Sequence, residues 1–116
     1  MSQPNILFIL TDQQSATAFS AAADPARSAP PMHTPAIDRI ARRGVRFDRA
    51  YCSQPLCVPS RASLVTGKYP HVVGVPYNLA ERECQEARNH TMLGSVMKQA
   101  GYDTAHFGKW HLGPVQ

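Results

Sequence analysis

The apolar positions of this chain fall into two periodicities. Asn5-Ile6-Leu7-Phe8-Ile9-Leu10 is a continuous apolar run without polar alternation, the pattern of a central parallel strand covered on both faces. It gives way to Thr11-Asp12-Gln13-Gln14, so polar side chains are expected at the carboxyl end of that strand, the edge where open α/β sheets bind ligands. Helical spacing follows. Thr34-Pro35 supplies an N-cap and a proline at the first helical position, Ile37, Ile40 and Ala41 make a short apolar stripe, and Gly44 ends it. Val45, Phe47 and Ala50-Tyr51 suggest a second strand leading into Cys57. Ser60 to Thr66 forms a helix with Ser60 near its start and Gly67 at its end, which predicts Cys57 just before a helix amino terminus, where backbone N–H groups favour an anion. Leu93, Val96, Met97 and Ala100 recur at helical spacing until Gly101, and Asp103 to Phe107 is a third strand candidate. Residues 15–33 are rich in Ala, Ser and Pro and read as a surface connection with room for a short helical turn. The order strand, helix, strand, helix, helix, strand predicts an α/β sheet.

Composition narrows the function classes. The 116 residues carry a formal charge of +4 and a pI near 9.3, which suits an anionic partner. The Lys and Arg residues are scattered, with no run longer than Arg42-Arg43 and no stacking aromatics between them, so nucleic-acid binding is not expected. Three cysteines, an odd number, do not make a disulfide framework and suit a reducing compartment. The start lacks a basic leader, the run Ile6–Leu10 is too short for a signal core, and no apolar stretch approaches the roughly 20 residues of a membrane span. No membrane association and a cytoplasmic location are the expectations.

The chemistry concentrates in two blocks. Cys57-Val58-Pro59-Ser60-Arg61, followed by Thr66-Gly67, places a thiol, a turn-forming proline, a hydroxyl and a fixed cation within a few residues. The second block is Gly101-Tyr102-Asp103-Thr104-Ala105-His106-Phe107-Gly108-Lys109-Trp110-His111-Leu112-Gly113. Arg61 lies four residues after Cys57, one helical turn on, within reach of the same helix end. Lys109 and His111 alternate in an expected extended segment and so share a face. Cys52 and Cys57 could pair over a metal, yet no second pair follows at zinc-finger spacing. Cys52 and Cys84 are expected to be structural. His33, His71, His90 and His106 lack a comparable context and read as solvated or structural.

The first block resembles the signature of the type I sulfatases, formylglycine-dependent members of the alkaline phosphatase superfamily, and the second resembles that family's other sequence hallmark. The resemblance runs from about Asn5 to Gly113 and implies an alkaline-phosphatase-like α/β fold with a mainly parallel central sheet. Residues 1–116 would be the amino-terminal portion of the catalytic domain. It implies a sulfuric ester hydrolase, acting on a small-molecule or glycan sulfate ester. Cys57 would be oxidised by a formylglycine-generating maturation enzyme that reads Pro59 and Arg61. Of the resulting aldehyde hydrate, one hydroxyl attacks sulfur and the other expels sulfate by collapsing to the aldehyde. Arg61 would stabilise the hydrate and the sulfuryl oxygens. Lys109 would contact the hydrate and a sulfate oxygen, and His111 would help remove the proton as the hydrate collapses. Asp12, Gln13 and the modified Cys57 would ligate Ca2+, with Mg2+ as the other choice. Gln13 stands where many members have a second Asp, and calcium accepts amide oxygens, but the site then holds one negative charge fewer. Val58 and Phe107 are bulkier than the family's usual residues and touch no reacting group.

Two other readings stay open at this point. A phosphonate or phosphate ester hydrolase of the same superfamily uses the same aldehyde and metal. A catalytically incompetent remnant would bind anions or a partner without turning them over. Strands lacking the rest of their sheet are also expected to leave apolar faces uncovered and to favour aggregation.

Overall fold

The computed structural model describes residues 3–20, 32–78 and 84–113. The middle of the Ala-, Ser- and Pro-rich connection, residues 21–31, lies outside them. The chain divides into two compact units, Met1–Ala50 and Tyr51–Gln116, each with its own internal organisation.

In the first unit, helix α1 spans Pro35–Arg43. Proline starts it because the first helical N–H has no intrahelical acceptor to lose. Asp38 in its first turn and Arg42 and Arg43 in its last complement the helix dipole. Thr34 makes no side-chain cap bond. Its hydroxyl instead accepts from the Ser20 N–H at 2.9 Å and donates to Asp38 Oδ1 at 3.3 Å, while Ser20 Oγ donates to Asp38 Oδ2. This knot of polar side chains ties the segment before the helix to its first turn.

The second unit holds the core. Helix α2, Cys57–Thr66, ends at Gly67, whose left-handed backbone (φ 67°) lets its N–H return to the Ser63 carbonyl. Val58, Pro59 and Ala62 form its buried face, and these pack with Val73, Val75, Cys84, Ala87 and Leu112. The one-turn helix α3, Gln85–Arg88, contributes Ala87 to that cluster, and α4, Leu93–Gln99, lies against α2. None of the three cysteines is in a disulfide.

Two points of the helix reading need correction. Helix α2 begins at Cys57 rather than near Ser60, so Cys57 is its first residue. Proline is tolerated through the first turn of a helix, and Pro59 sits inside that turn rather than in front of it. Helix α3 was absent from the sequence pattern because four residues are too few to show a period. The expected sheet is not seen: no strand is present among the described residues. Residues 5–10, 45–47 and 103–107 run without the regular hydrogen bonding of helix or ladder, and Leu7 is 84% exposed. An apolar run specifies strand propensity, but a strand exists only once a neighbour supplies the other half of its ladder.

Candidate active site

Cys57, Arg61 and Lys109 come together in the second unit. Lys109 Nζ donates to Cys57 Sγ at 3.5 Å, and Arg61 Nη1 donates to the Lys109 carbonyl at 2.5 Å. These contacts join positions 52 and 48 residues apart, so packing rather than local sequence brings them together. Arg61 reaches the segment that carries Lys109, one helical turn along α2 from the half-buried Cys57.

The segment after Lys109 is not simply extended. His111 has a left-handed backbone, φ 60°, which interrupts the alternation that would place Lys109 and His111 on one face. Its ring nitrogen Nδ1 is buried without a hydrogen-bond partner among the described residues. The following residue, Leu112, is fully buried, and its carbonyl accepts from Arg88 Nε at 3.3 Å. A buried anchor and a hydrogen bond from α3 thus hold the chain on one side of His111. On the other side Trp110 stacks edge-on against His106, with ring centroids 5.2 Å apart. A left-handed non-glycine residue costs about 1–2 kcal/mol, and an unpaired buried nitrogen about 1–3 kcal/mol. Such costs persist where surrounding structure over-determines them and cluster at functional sites.

Asp12 and Gln13 belong to the first unit. Gln13 also has positive φ, 55°, and both residues are exposed. Their carboxylate and amide oxygens are hard donors of the kind calcium and magnesium take. No group of three or more His, Cys, Asp and Glu that could hold a metal occurs among the described residues, so these two residues by themselves do not make a complete site. An open concavity of about 340 Å³ in the same unit is lined by Ser20, Asp38, Ala41, Arg42 and Arg46. It contains none of the residues with candidate chemistry, and the side-chain cluster at Cys57 is the better guide to the site.

Sequence reasoning missed Asn78, whose Oδ1 accepts from the Val58 N–H at 3.0 Å, and Arg88, which holds the Leu112 carbonyl. Leu56 at the N-cap of α2 was the available signal: it has no side chain that can cap, so an acceptor had to come from elsewhere.

The description that matches this chain is Sulfatase, over residues 4–116. The chain belongs to the sulfatase family. It is 40% identical over 96% of its length to the ulvan-active sulfatase of Formosa agariphila. It is 37% identical over 95% to the N-acetylglucosamine-6-O-sulfatase of Bacteroides thetaiotaomicron, and 36% identical over 97% to arylsulfatase J of Mus musculus. Coverage in the other direction is small: the sulfatase chain spans about a fifth of the length of these relatives, 20%, 18% and 18%. No solved structure matches it. Both motif blocks lie within the matched residues. The family's alkaline-phosphatase-like α/β architecture is therefore the setting in which this sulfatase chain's helices are placed.

Among the described residues of the sulfatase chain, no helix is long and apolar enough to cross a membrane.

Proposed function

We propose that the chain supplies the nucleophile half of a sulfuric ester hydrolase. The observation that carries this reading is the Lys109 ammonium on the Cys57 sulfur, with Arg61 fastened to the Lys109 backbone. One cation lies on the first residue of a helix, where the dipole also favours negative charge, and a second is fastened to the backbone of the first. That is an environment for an oxyanion and its sulfuryl acceptor rather than for a buried structural thiol. Once converted to formylglycine, Cys57 offers an aldehyde hydrate: one hydroxyl attacks sulfur and displaces the alcohol of the ester, and the other then loses its proton and expels sulfate as the hemiacetal collapses to the aldehyde.

Around that atom the chain's own side chains divide the work. Lys109 binds the hydrate and a sulfuryl oxygen, and Arg61 fixes the segment that carries Lys109 while adding a permanent charge. His111 helps remove the proton as the sulfated hemiacetal collapses, and its strained backbone and orphaned nitrogen are the features that support a role beyond packing. Asp12, Gln13 and the modified Cys57 would hold calcium or magnesium, which polarises a sulfate oxygen. The mainly parallel sheet is part of the same proposal: Asn5–Leu10 becomes its strand when the remaining length seen in the relatives supplies neighbours. A sulfated glycan is the substrate class we favour, since two relatives are named for ulvan and N-acetylglucosamine 6-sulfate chemistry. A maturation enzyme that oxidises Cys57 is the required partner, and three cysteines without a disulfide suit a reducing compartment.

Parallel assays of the intact protein on an aryl sulfate, a phosphate diester and a phosphonate monoester test the reading. Sulfate turnover that disappears in Cys57→Ala is the expected result. Preference for the phosphonate would move the chain to the other hydrolase branch, and near-normal turnover by Cys57→Ala would remove the nucleophile assignment.

A further inference from the structure

The amino terminus of α2 has an unusual hydrogen-bond account. The first four positions of a helix have no intrahelical acceptor for an N–H, and here they are Leu56, Cys57, Val58 and Pro59, which together carry three N–H groups. The Leu56 N–H goes to the Gln54 carbonyl at 2.9 Å, Pro59 has no N–H, and the first intrahelical bond is Ser60 N–H to the Leu56 carbonyl at 3.0 Å. The N-cap residue, Leu56, cannot cap. The Val58 N–H is taken by Asn78 Oδ1, from a position 20 residues downstream. This leaves the N–H of Cys57 itself as the helix-terminal donor turned to no acceptor among the described residues.

We propose that Asn78 is a positioning residue for Cys57. By capping α2 from outside the helix, it fixes the first turn so that the Cys57 side chain stands beside Lys109, and it leaves only the Cys57 N–H to meet negative charge built up there. The proposal rests on the reading of Cys57 as the reacting residue, but its geometry is independent of turnover. Asn78 touches no reacting atom. Its carbonyl oxygen acts through the Val58 backbone, and an acceptor of the same shape is all that the role requires.

Asn78→Leu keeps the volume and removes the acceptor, whereas Asn78→Asp keeps the acceptor. Leu56→Ser added to Asn78→Leu places a hydroxyl at the N-cap and restores the missing bond locally. In protein with an unconverted thiol, amide exchange at Val58 should accelerate about fivefold in Asn78→Leu and return toward the parent rate in the other two variants. Alkylation of Cys57, read by peptide mass spectrometry with Cys52 and Cys84 as internal references, should change in the same order. In converted enzyme, kcat on an aryl sulfate should fall roughly tenfold in Asn78→Leu with KM little altered, and both rescues should recover it. Unchanged Val58 exchange in Asn78→Leu, or an Asn78→Asp variant that behaves like Asn78→Leu, would overturn the proposal. So would a lower melting temperature with full kcat, which marks a merely structural bond. Parent protein that shows the Val58 and Cys57 responses but hydrolyses no sulfate ester would retire the sulfatase reading and leave the positioning role standing.

Discussion

The two units reach order by different means. In residues 51–116, Val58, Ala62, Val73, Val75, Cys84, Ala87 and Leu112 are fully buried, and the helix bearing Cys57 supplies two of them. In residues 1–50 none of the described residues is buried, and what order there is comes from the Ser20, Thr34 and Asp38 hydrogen bonds around the start of α1. The comparison separates two kinds of site. Cys57, Arg61 and Lys109 lie in the unit that has a buried core, and their contacts are made within it. Asp12 and Gln13 stand at the end of an apolar run, Ile6–Leu10, that is exposed here. The proposed nucleophile sits in a packed segment, whereas the proposed metal ligands sit in an exposed one.

That contrast can be broken at several strengths. The largest effect is expected from Ile9→Lys in the intact protein. If the sheet forms around residues 5–10, a charge enters a two-sided apolar layer and should cost more than about 3 kcal/mol, seen as loss of soluble folded protein. Wild-type solubility and denaturation would show that the run stays at the surface, where Ile9 is 69% exposed here. Next is Leu112→Ala, which empties the largest fully buried side chain of the second unit and should cost about 2–5 kcal/mol by urea denaturation. A loss below about 1 kcal/mol would mean that the core at Cys57 is not what holds it. Smaller is a pair of glycines, one in each unit. Gly74 has φ 72°, and a Cβ there would fall 1.8 Å from Glu86 Oε2, so Gly74→Ala should cost about 1–2 kcal/mol. Gly44 has ordinary φ, and its Cβ would lie 3.4 Å from the Ile40 carbonyl, so Gly44→Ala should stay within about 0.5 kcal/mol of the parent. Equal effects at the two positions would erase the distinction between a packed and an unpacked unit.

Local signals were legible in the sequence where local chemistry decides. Thr34-Pro35 and Gly44 bound α1, and Gly67 ends α2: a proline that needs no N–H suits a helix start, and at Gly67 a glycine tolerates the left-handed turn that closes the helix. The start of α2 was placed three residues late, since a proline in the first turn and a proline before it look alike. The apolar runs at 5–10, 45–51 and 103–107 announced strands, but pairing is non-local and no ladder forms among the described residues. At the site, Cys57, Arg61 and Lys109 were found through motifs and are brought together by packing. The left-handed backbones of Gln13 and His111 were not legible, since glutamine carries no such preference and the enrichment of histidine at positive φ is too weak to mark one position. Asn78 escaped because its partner is a backbone N–H, which every residue but proline carries.

The central claim is that Cys57 is the reacting residue, placed by its own segment for conversion and use. Peptide mass spectrometry across residues 50–61 of protein from its native host tests it most directly. The account predicts that the Cys57 thiol is replaced by an aldehyde or its hydrate, with Cys52 in the same stretch left as a thiol. An unmodified Cys57, in a host whose maturation enzyme is shown to be active, would contradict it.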